Sequence, residues 1–202
     1  MSSGASHTFD AYDKLKENTN TVMKSYYAAS DRLSFHNLVS QWTLSILSLG
    51  LIVIPLLTVT KMPLRYSQNV IDFASISLAV AILMLSLLIG ANNYAARGYK
   101  MYQSGLEFND LLRDMRCFEF NADRMTHYQD FSSRYGNILR RYENVSPIDN
   151  LQGQINIYRK NPLSINSFGQ QFKYWYLFLR ELVIYIVPII FEFSFIYFLV
   201  VK

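Results

Sequence analysis

Residues 44–59, with the sequence LSILSLGLIVIPLLTV, and residues 76–91, with the sequence ISLAVAILMLSLLIGA, decide the fold. The wider segments that contain them, 33–60 and 73–96, hold no Lys, Arg, Asp or Glu. A helix needs about 20 apolar residues to cross the roughly 30 Å hydrocarbon core of a bilayer, and each segment supplies them. The sequence therefore predicts two membrane-spanning helices joined by a short loop around Pro63.

A third apolar stretch closes the chain, from Tyr174 to Val201, with Pro188 and Glu192 in its interior. Of the 202 residues, 51% are hydrophobic and only 17% are charged. Soluble domains carry about 25% charged residues, so the composition also favours an integral membrane protein. We predict an all-α membrane protein: a transmembrane hairpin, a third span at the C-terminal end, and a helical bundle outside the bilayer.

The bundle is predicted from apolar residues that recur every three or four positions, the spacing of one helix face. The first such helix runs without Pro or Gly from Phe9 into the first span, so one long helix is expected to enter the membrane. The first seam comprises Tyr12, Leu15, Thr19, Val22, Tyr26, Ala29 and Leu33. The later seams comprise Tyr94, Gly98, Met101, Gly105, Phe108, Leu112 and Met115, then Tyr128, Phe131, Tyr135, Ile138 and Tyr142. Because each stripe needs an apolar partner, we expect Phe108, Leu112, Phe131 and Tyr135 to be largely buried.

These patterns divide the chain into four parts. They are a disordered N-terminus, a main helical domain, a linker with room for one short helix, and a C-terminal transmembrane helix. The predicted bounds are 1–8, 9–150, 151–173 and 174–202. The main domain divides into an amphipathic helix, two spans and cytoplasmic helices, with approximate bounds 9–37, 38–60, 71–93 and 94–144.

Two stripes of small and polar residues run along the predicted hairpin. The first span carries Gln41, Ser45 and Ser48, and the second carries Asp72, Ser75, Ala79, Ser86, Gly90 and Asn93. Ser75/Ala79 and Ser86/Gly90 are small-xxx-small pairs, which allow helices to approach closely in lipid. The stripes therefore predict either plain helix packing or a face that lines water in an oligomeric pore.

Glu192 is an ionisable residue deep inside the third stretch. A carboxylate there costs several kcal/mol unless it is paired, protonated or in contact with water. One interpretation is a pore-lining or gating acid. The other is a displaced or tilted helix in which Glu192 has a local partner or lies in a polar cleft.

The sequence offers no catalytic constellation, cofactor motif or metal site. His7, His36 and His127 stand far apart, without the spacing of metal ligands. There is no phosphate-binding glycine loop and no nucleophile elbow. The single cysteine, Cys117, excludes an internal disulfide. The net charge of +4 is modest and the basic residues are interleaved with acids, so we expect contact with lipid headgroups rather than direct nucleic-acid binding.

The basic residues also predict an orientation. Arg159, Lys160, Lys173 and Arg180 lie before or at the start of the third stretch, whereas only Lys202 follows it. Cytoplasmic loops carry an excess of Lys and Arg. We therefore expect the N-terminus and the central segment to lie in the cytoplasm.

This arrangement resembles the SLATT domain, a family of two-transmembrane effectors of bacterial conflict systems. The closest local match is the segment YENVSPID at residues 142–149. Family members often show Glu-Asn-His, a short gap, and then Ile or Val before Asp at this place. Glu143, Asn144 and Asp149 match that motif, while Val145 stands where the family has the histidine. The resemblance covers about residues 9–150, and the extra C-terminal span resembles the subset that accompanies reverse transcriptases.

The resemblance implies a multi-pass, non-enzymatic effector of antiphage defence in the bacterial inner membrane. A partner would sense infection: a nucleotide second-messenger synthase, a nucleotide-binding SLOG protein or a reverse transcriptase. The effector would then assemble as a homo-oligomer and form a pore or disrupt the membrane, causing abortive infection. The alternative is a non-conducting anchor or scaffold that holds such a partner at the membrane.

Overall fold

The computed structural model describes residues 3–60, 66–118, 124–158 and 167–200, and in that part of the chain every regular element is a helix. The helices are α1 (Ser3–Val59), α2 (Gln68–Asn92), α3 (Tyr94–Cys117), α4 (Arg124–Arg141), α5 (Pro147–Tyr158) and α6 (Ser167–Val200). The predicted all-α class is confirmed. The predicted loop residue Pro63 lies outside the described residues.

Helix α1 has 57 residues and joins the predicted amphipathic helix to the first predicted span without interruption. It begins at Ser3, so residues 3–8 are helical although their composition favours disorder. Extending a helix that has already formed is much easier than starting one, which explains why the flanking residues join it. A short helix is expected within 151–173, whereas α5 begins earlier, at Pro147. Helix α6 begins at Ser167, before the apolar stretch itself.

The helices form two compact units. Unit 1 comprises Met1–Ser34 and Ala95–Leu177, and unit 2 comprises Phe35–Tyr94 and Phe178–Lys202. Both α1 and α6 contribute residues to each unit, whereas α4 and α5 belong to unit 1 alone.

Unit 1 is a bundle whose core follows the predicted seams. Six of the seven α1 seam residues are buried, and Val22 is half-buried. Phe108 is fully buried, with its ring stacked on Tyr26 at 5.4 Å and edge-on to Tyr135 at 5.6 Å. The predicted burial of Phe108, Leu112 and Phe131 is confirmed, while Tyr135 is only half-buried. Aromatic side chains of α1, α3 and α4 thus meet in the core of unit 1.

A glycine brings α5 close to α1. A Cβ atom added at Gly153 would lie 2.9 Å from the Ser25 backbone nitrogen and 2.3 Å from its Oγ atom. Because backbone atoms cannot move aside as a flexible side chain does, this contact requires glycine. The segment after α4 is therefore an integral part of unit 1.

Unit 2 consists of three apolar helices, contributed by α1, α2 and α6. Ile54 and Ile71 are buried, and Leu78, Phe195 and Ile196 pack against them. Helix α2 ends at Asn93, which has a left-handed backbone with φ 45° and donates its N–H to the Gly90 carbonyl. Asn tolerates this conformation better than most residues, which explains a helix end at this position.

Candidate functional site

Large apolar side chains are exposed on all three helices of unit 2. Trp42, Phe73, Leu87 and Phe191 are each more than 60% exposed. Soluble monomers rarely expose contiguous apolar patches of this kind. Within the described residues, three helices are long and apolar enough to cross a membrane. The protein is therefore a membrane protein.

The polar stripe predicted on the first span lies on the outer surface of unit 2. Gln41, Ser45 and Ser48 are all exposed, and the Ser45 hydroxyl donates to the Gln41 carbonyl at 2.9 Å. The opposite face of α1 is the buried one, with Thr43, Leu47 and Ile54. The stripe therefore points away from the packing inside unit 2.

The α2 stripe is divided between two environments. Ser75 and Ala79 are half-buried. Asp72, Ser86, Gly90 and Asn93 are exposed. Asp72 accepts a hydrogen bond from the Gln68 amide at 2.8 Å. Apart from the adjoining residues and backbone of its own helix, no described atom lies within 4 Å of a Cβ added at Gly90. The Ser86/Gly90 pair is thus available to another helix.

Glu192 is buried against α1 at Gly50. Its residue exposure is 2%, and its Oε1 atom has no hydrogen-bond partner among the described residues. A Cβ atom added at Gly50 would lie 2.0 Å from that oxygen and 2.3 Å from the Glu192 Cδ atom. Gly50 therefore provides the space that the carboxyl group occupies.

A cavity of about 500 Å³ lies beside this carboxyl group, between α2 and α6. Its lining is almost entirely apolar, and Glu192 is the one ionisable residue in it among the described residues. Cavities of this size are typical of sites for small molecules. Glu192 therefore lies beside an apolar cavity within unit 2. Neither interpretation of the sequence specified such a cavity.

A second polar cluster, centred on His36, joins α1 to α6 inside unit 2. The His36 ring is buried, with Nε2 2.9 Å from Glu181 Oε2 and Nδ1 3.3 Å from Tyr185 Oη. It also stacks on Tyr94 at 5.6 Å. Sequence reasoning considered His36 only as a metal ligand and missed this cluster. The feature that could have revealed the cluster is that His36 lies alone in a segment without Lys, Arg, Asp or Glu. A buried imidazole there needs a polar partner from elsewhere in the chain.

The motif residues lie in unit 1, around the turn between α4 and α5. Arg32 of α1 binds Asp149 through two hydrogen bonds, Nε to Oδ1 at 2.7 Å and Nη2 to Oδ2 at 2.9 Å. The Ser146 hydroxyl also donates to Asp149 Oδ2 at 2.7 Å, at the start of α5. Ser146 precedes Pro147 at the first helical position, a sequence that favours a helix start. Asp149 thus fixes α5 and ties it to α1.

The other two motif residues are exposed. Glu143 accepts two hydrogen bonds from Arg97 of α3, at 3.1 and 2.7 Å, and Asn144 is exposed beside it. The backbone carbonyl of Glu143 accepts a hydrogen bond from the Tyr26 hydroxyl at 3.2 Å. The matched carboxylates therefore bind arginines of this chain, which gives the motif a structural role.

A related contact precedes the motif at the end of α4. The Tyr142 hydroxyl donates to Glu107 Oε1 at 2.6 Å. This hydrogen bond to a carboxylate raises the pKa of Tyr142. The hydroxyl therefore stays protonated and keeps the donor that connects α4 to α3.

The described residues hold no group of three or more His, Cys, Asp or Glu side chains that could bind a metal ion. Cys117 is exposed at the end of α3. The polar groups described in unit 2 are Glu192, the His36 cluster and the two polar stripes.

One family model matches the chain over residues 9–198 and is described as SMODS and SLOG-associating 2TM effector domain family 5. The matched range includes α5 and most of α6. It therefore extends beyond residues 9–150, which the resemblance in the sequence covers. The comparisons with curated proteins and with solved structures gave no match.

Proposed function

The chain belongs to family 5 of the SMODS and SLOG-associating 2TM effector domains, the SLATT family, and we propose that it is a pore-forming effector of bacterial antiphage defence. SLATT domains are two-transmembrane effector domains of conflict systems. In this proposal an infection-sensing partner activates the chain, which then oligomerises, permeabilises the inner membrane and stops the cell. The partner is a nucleotide second-messenger synthase, a SLOG protein or a reverse transcriptase.

The main support for this proposal is the polar stripe of α1, which points away from the packing inside unit 2. Gln41, Ser45 and Ser48 are exposed on the part of α1 that belongs to unit 2, where the other exposed residues are mostly apolar. An amide side chain in lipid gains from a partner on another helix or from contact with water. A second copy of the chain supplies the partner, and a ring of copies with this face inward supplies the water. The exposed Ser86/Gly90 pair on α2 supports the same assembly, because small residues allow close approach.

A second candidate function is a non-conducting anchor for a cytosolic partner. The specific observation in its favour is that unit 1 folds around buried aromatic residues and a largely buried ion pair between Arg32 and Asp149. A rigid folded unit suits docking of another protein. The two functions differ in one measurable property, the permeability of the membrane.

We propose that the N-terminus and unit 1 are cytoplasmic, with unit 2 in the inner membrane. Reporter enzymes fused after residues 66, 130 and 202 are expected to read outside, inside and outside, because three helices cross. At residues 66 and 130 the reporter is inserted within the full chain, and a series truncated before α6 serves as the control for these two positions. A cytoplasmic readout after residue 202 would show that α6 does not cross.

The pore is tested with purified chain in potassium-loaded liposomes and with induced expression in cells, both read with a potential-sensitive dye. Wild-type protein is expected to collapse the potential at high density, because mass action favours assembly. Replacing the stripe (Gln41→Leu, Ser45→Ala and Ser48→Ala) should remove most of the leak. The matched control is Ile52→Ala with Leu56→Ala, which changes exposed apolar residues on the same helix. If the membranes stay sealed while defence remains intact, the pore proposal is wrong and the anchor function takes its place.

A further inference from the structure

The carboxyl group of Glu192 combines burial with unused hydrogen-bonding capacity. It is 2% exposed, its Oε1 atom has no partner among the described residues, and Gly50 lies directly against it. Leu78, Phe191 and Phe195 line the cavity beside it. The surroundings of this acid are therefore apolar on each side that the structure describes.

No neighbouring helix brings a charge to the carboxyl group within the described residues. The lining residue of α1 is Leu47, and the α2 lining residues are apolar apart from Ser77. Asp72, next to the lining residue Phe73, is exposed and bonded to Gln68. A carboxylate without a counter-ion is very unfavourable in such surroundings, whereas the protonated acid is neutral.

We propose that Glu192 is a proton-binding site, held in its protonated form by the apolar packing of unit 2 and open through the cavity to lipophilic molecules from the bilayer. This inference rests on the proposed position of unit 2 in the membrane and not on pore formation. It deepens the proposed function, because water entering between α2 and α6 would allow the acid to release its proton. The site thus distinguishes a dry closed state from a wet open one.

A lipophilic carbodiimide, dicyclohexylcarbodiimide, is the probe for such an acid. The carboxyl proton moves to one nitrogen of the reagent while a carboxyl oxygen bonds to its central carbon, forming an O-acylisourea. In apolar surroundings the acyl group then moves to the nitrogen and gives a stable N-acylurea. The adduct contains all atoms of both reactants, so mass spectrometry detects it as the added mass of one reagent molecule.

The experiment uses the full chain in liposomes at pH 7, with the lipophilic reagent and a water-soluble carbodiimide in parallel. A carboxyl group in water has a pKa of about 4, so less than about 1% of it is protonated at this pH. We expect the lipophilic reagent to modify Glu192 more than about tenfold faster than the exposed Asp72. The water-soluble reagent should show no such preference. The variant Glu192→Gln should lose the adduct at this position.

Two results would overturn the inference. One is a Glu192 that the lipophilic reagent leaves unmodified. The other is equal modification of Glu192 and Asp72 by both reagents. Labelling of Glu192 in liposomes that stay sealed would support the proton site and contradict the proposed pore. Leakage without labelling of Glu192 would support the pore and contradict the proton site.

Discussion

Replacing Asp149 with alanine is expected to destabilise unit 1 by about 3–5 kcal/mol, the usual cost of removing one partner of a buried ion pair. The side chains of Arg32 and Asp149 are only 14% and 3% exposed, and the arginine binds both carboxylate oxygens. The variant would leave a largely buried guanidinium without its carboxylate. It would also remove the acceptor of the Ser146 hydroxyl at the start of α5.

Hydrogen exchange of the α3 amides around Phe108 measures this loss, because these buried residues report the opening of unit 1. The control is Glu143→Ala, which removes an ion pair whose side chains are 39% and 53% exposed. Such pairs contribute about 0–1 kcal/mol, so the control should change exchange little. Equal effects of the two variants would show that burial does not set the strength of these pairs.

A double variant separates the pair from the charge that it leaves behind. Arg32→Met with Asp149→Leu replaces both ions by apolar groups, which is often neutral or stabilising in other proteins. Most of the lost stability should therefore return. The result would show that the cost in Asp149→Ala comes from a buried charge that has lost its carboxylate.

Local patterns were sufficient to predict the helices of this chain. The long charge-free segments predicted the apolar helices, and the three-and-four spacing predicted the buried seams of Tyr12, Phe108 and Phe131. Both signals depend only on residues that are near each other in the sequence. The thickness of the bilayer sets the length of an apolar helix, and the helix repeat sets which residues share a face. They fix which face of a helix is apolar but not which helix it meets.

The contacts between distant residues were not predictable for that reason. Arg32 and Asp149 are 117 positions apart, and His36 and Glu181 are 145 apart. The resemblance marked Asp149 as a motif residue without indicating its arginine. Glu192 was recognised as unusual from its chemistry alone, while its neighbour Gly50 was an ordinary glycine in an apolar run until the fold brought them together.

The small-residue stripes show a different limit. Their composition is the same whether they pack within the chain or between copies, so the sequence left the choice open. The structure divides α2 between the two cases, with Ser75 and Ala79 half-buried and Ser86 and Gly90 exposed. Only the exposed half is available to a second copy.

Replacing Gly50 with leucine is expected to disrupt unit 2, because even a Cβ atom there would lie 2.0 Å from Glu192 Oε1 and 3.0 Å from its Cγ atom. The carboxyl group would have to move into the adjacent cavity, and the rest of the leucine side chain would push α1 and α6 apart. Overpacking of this kind costs about 1–3 kcal/mol. We expect a lower unfolding temperature in detergent and loss of membrane depolarisation.

The matched control is Gly90→Leu, because an added Cβ atom at Gly90 would meet no described atom within 4 Å beyond the adjoining part of its own helix. It should leave the unfolding temperature of the isolated chain nearly unchanged. Shortening the acid with Glu192→Ala in the Gly50→Leu background should restore part of the stability, because residues in contact are coupled by about 0.5–3 kcal/mol. Strictly additive effects of the two substitutions would mean that Gly50 and Glu192 do not touch in the membrane, and the site built on their contact would fall.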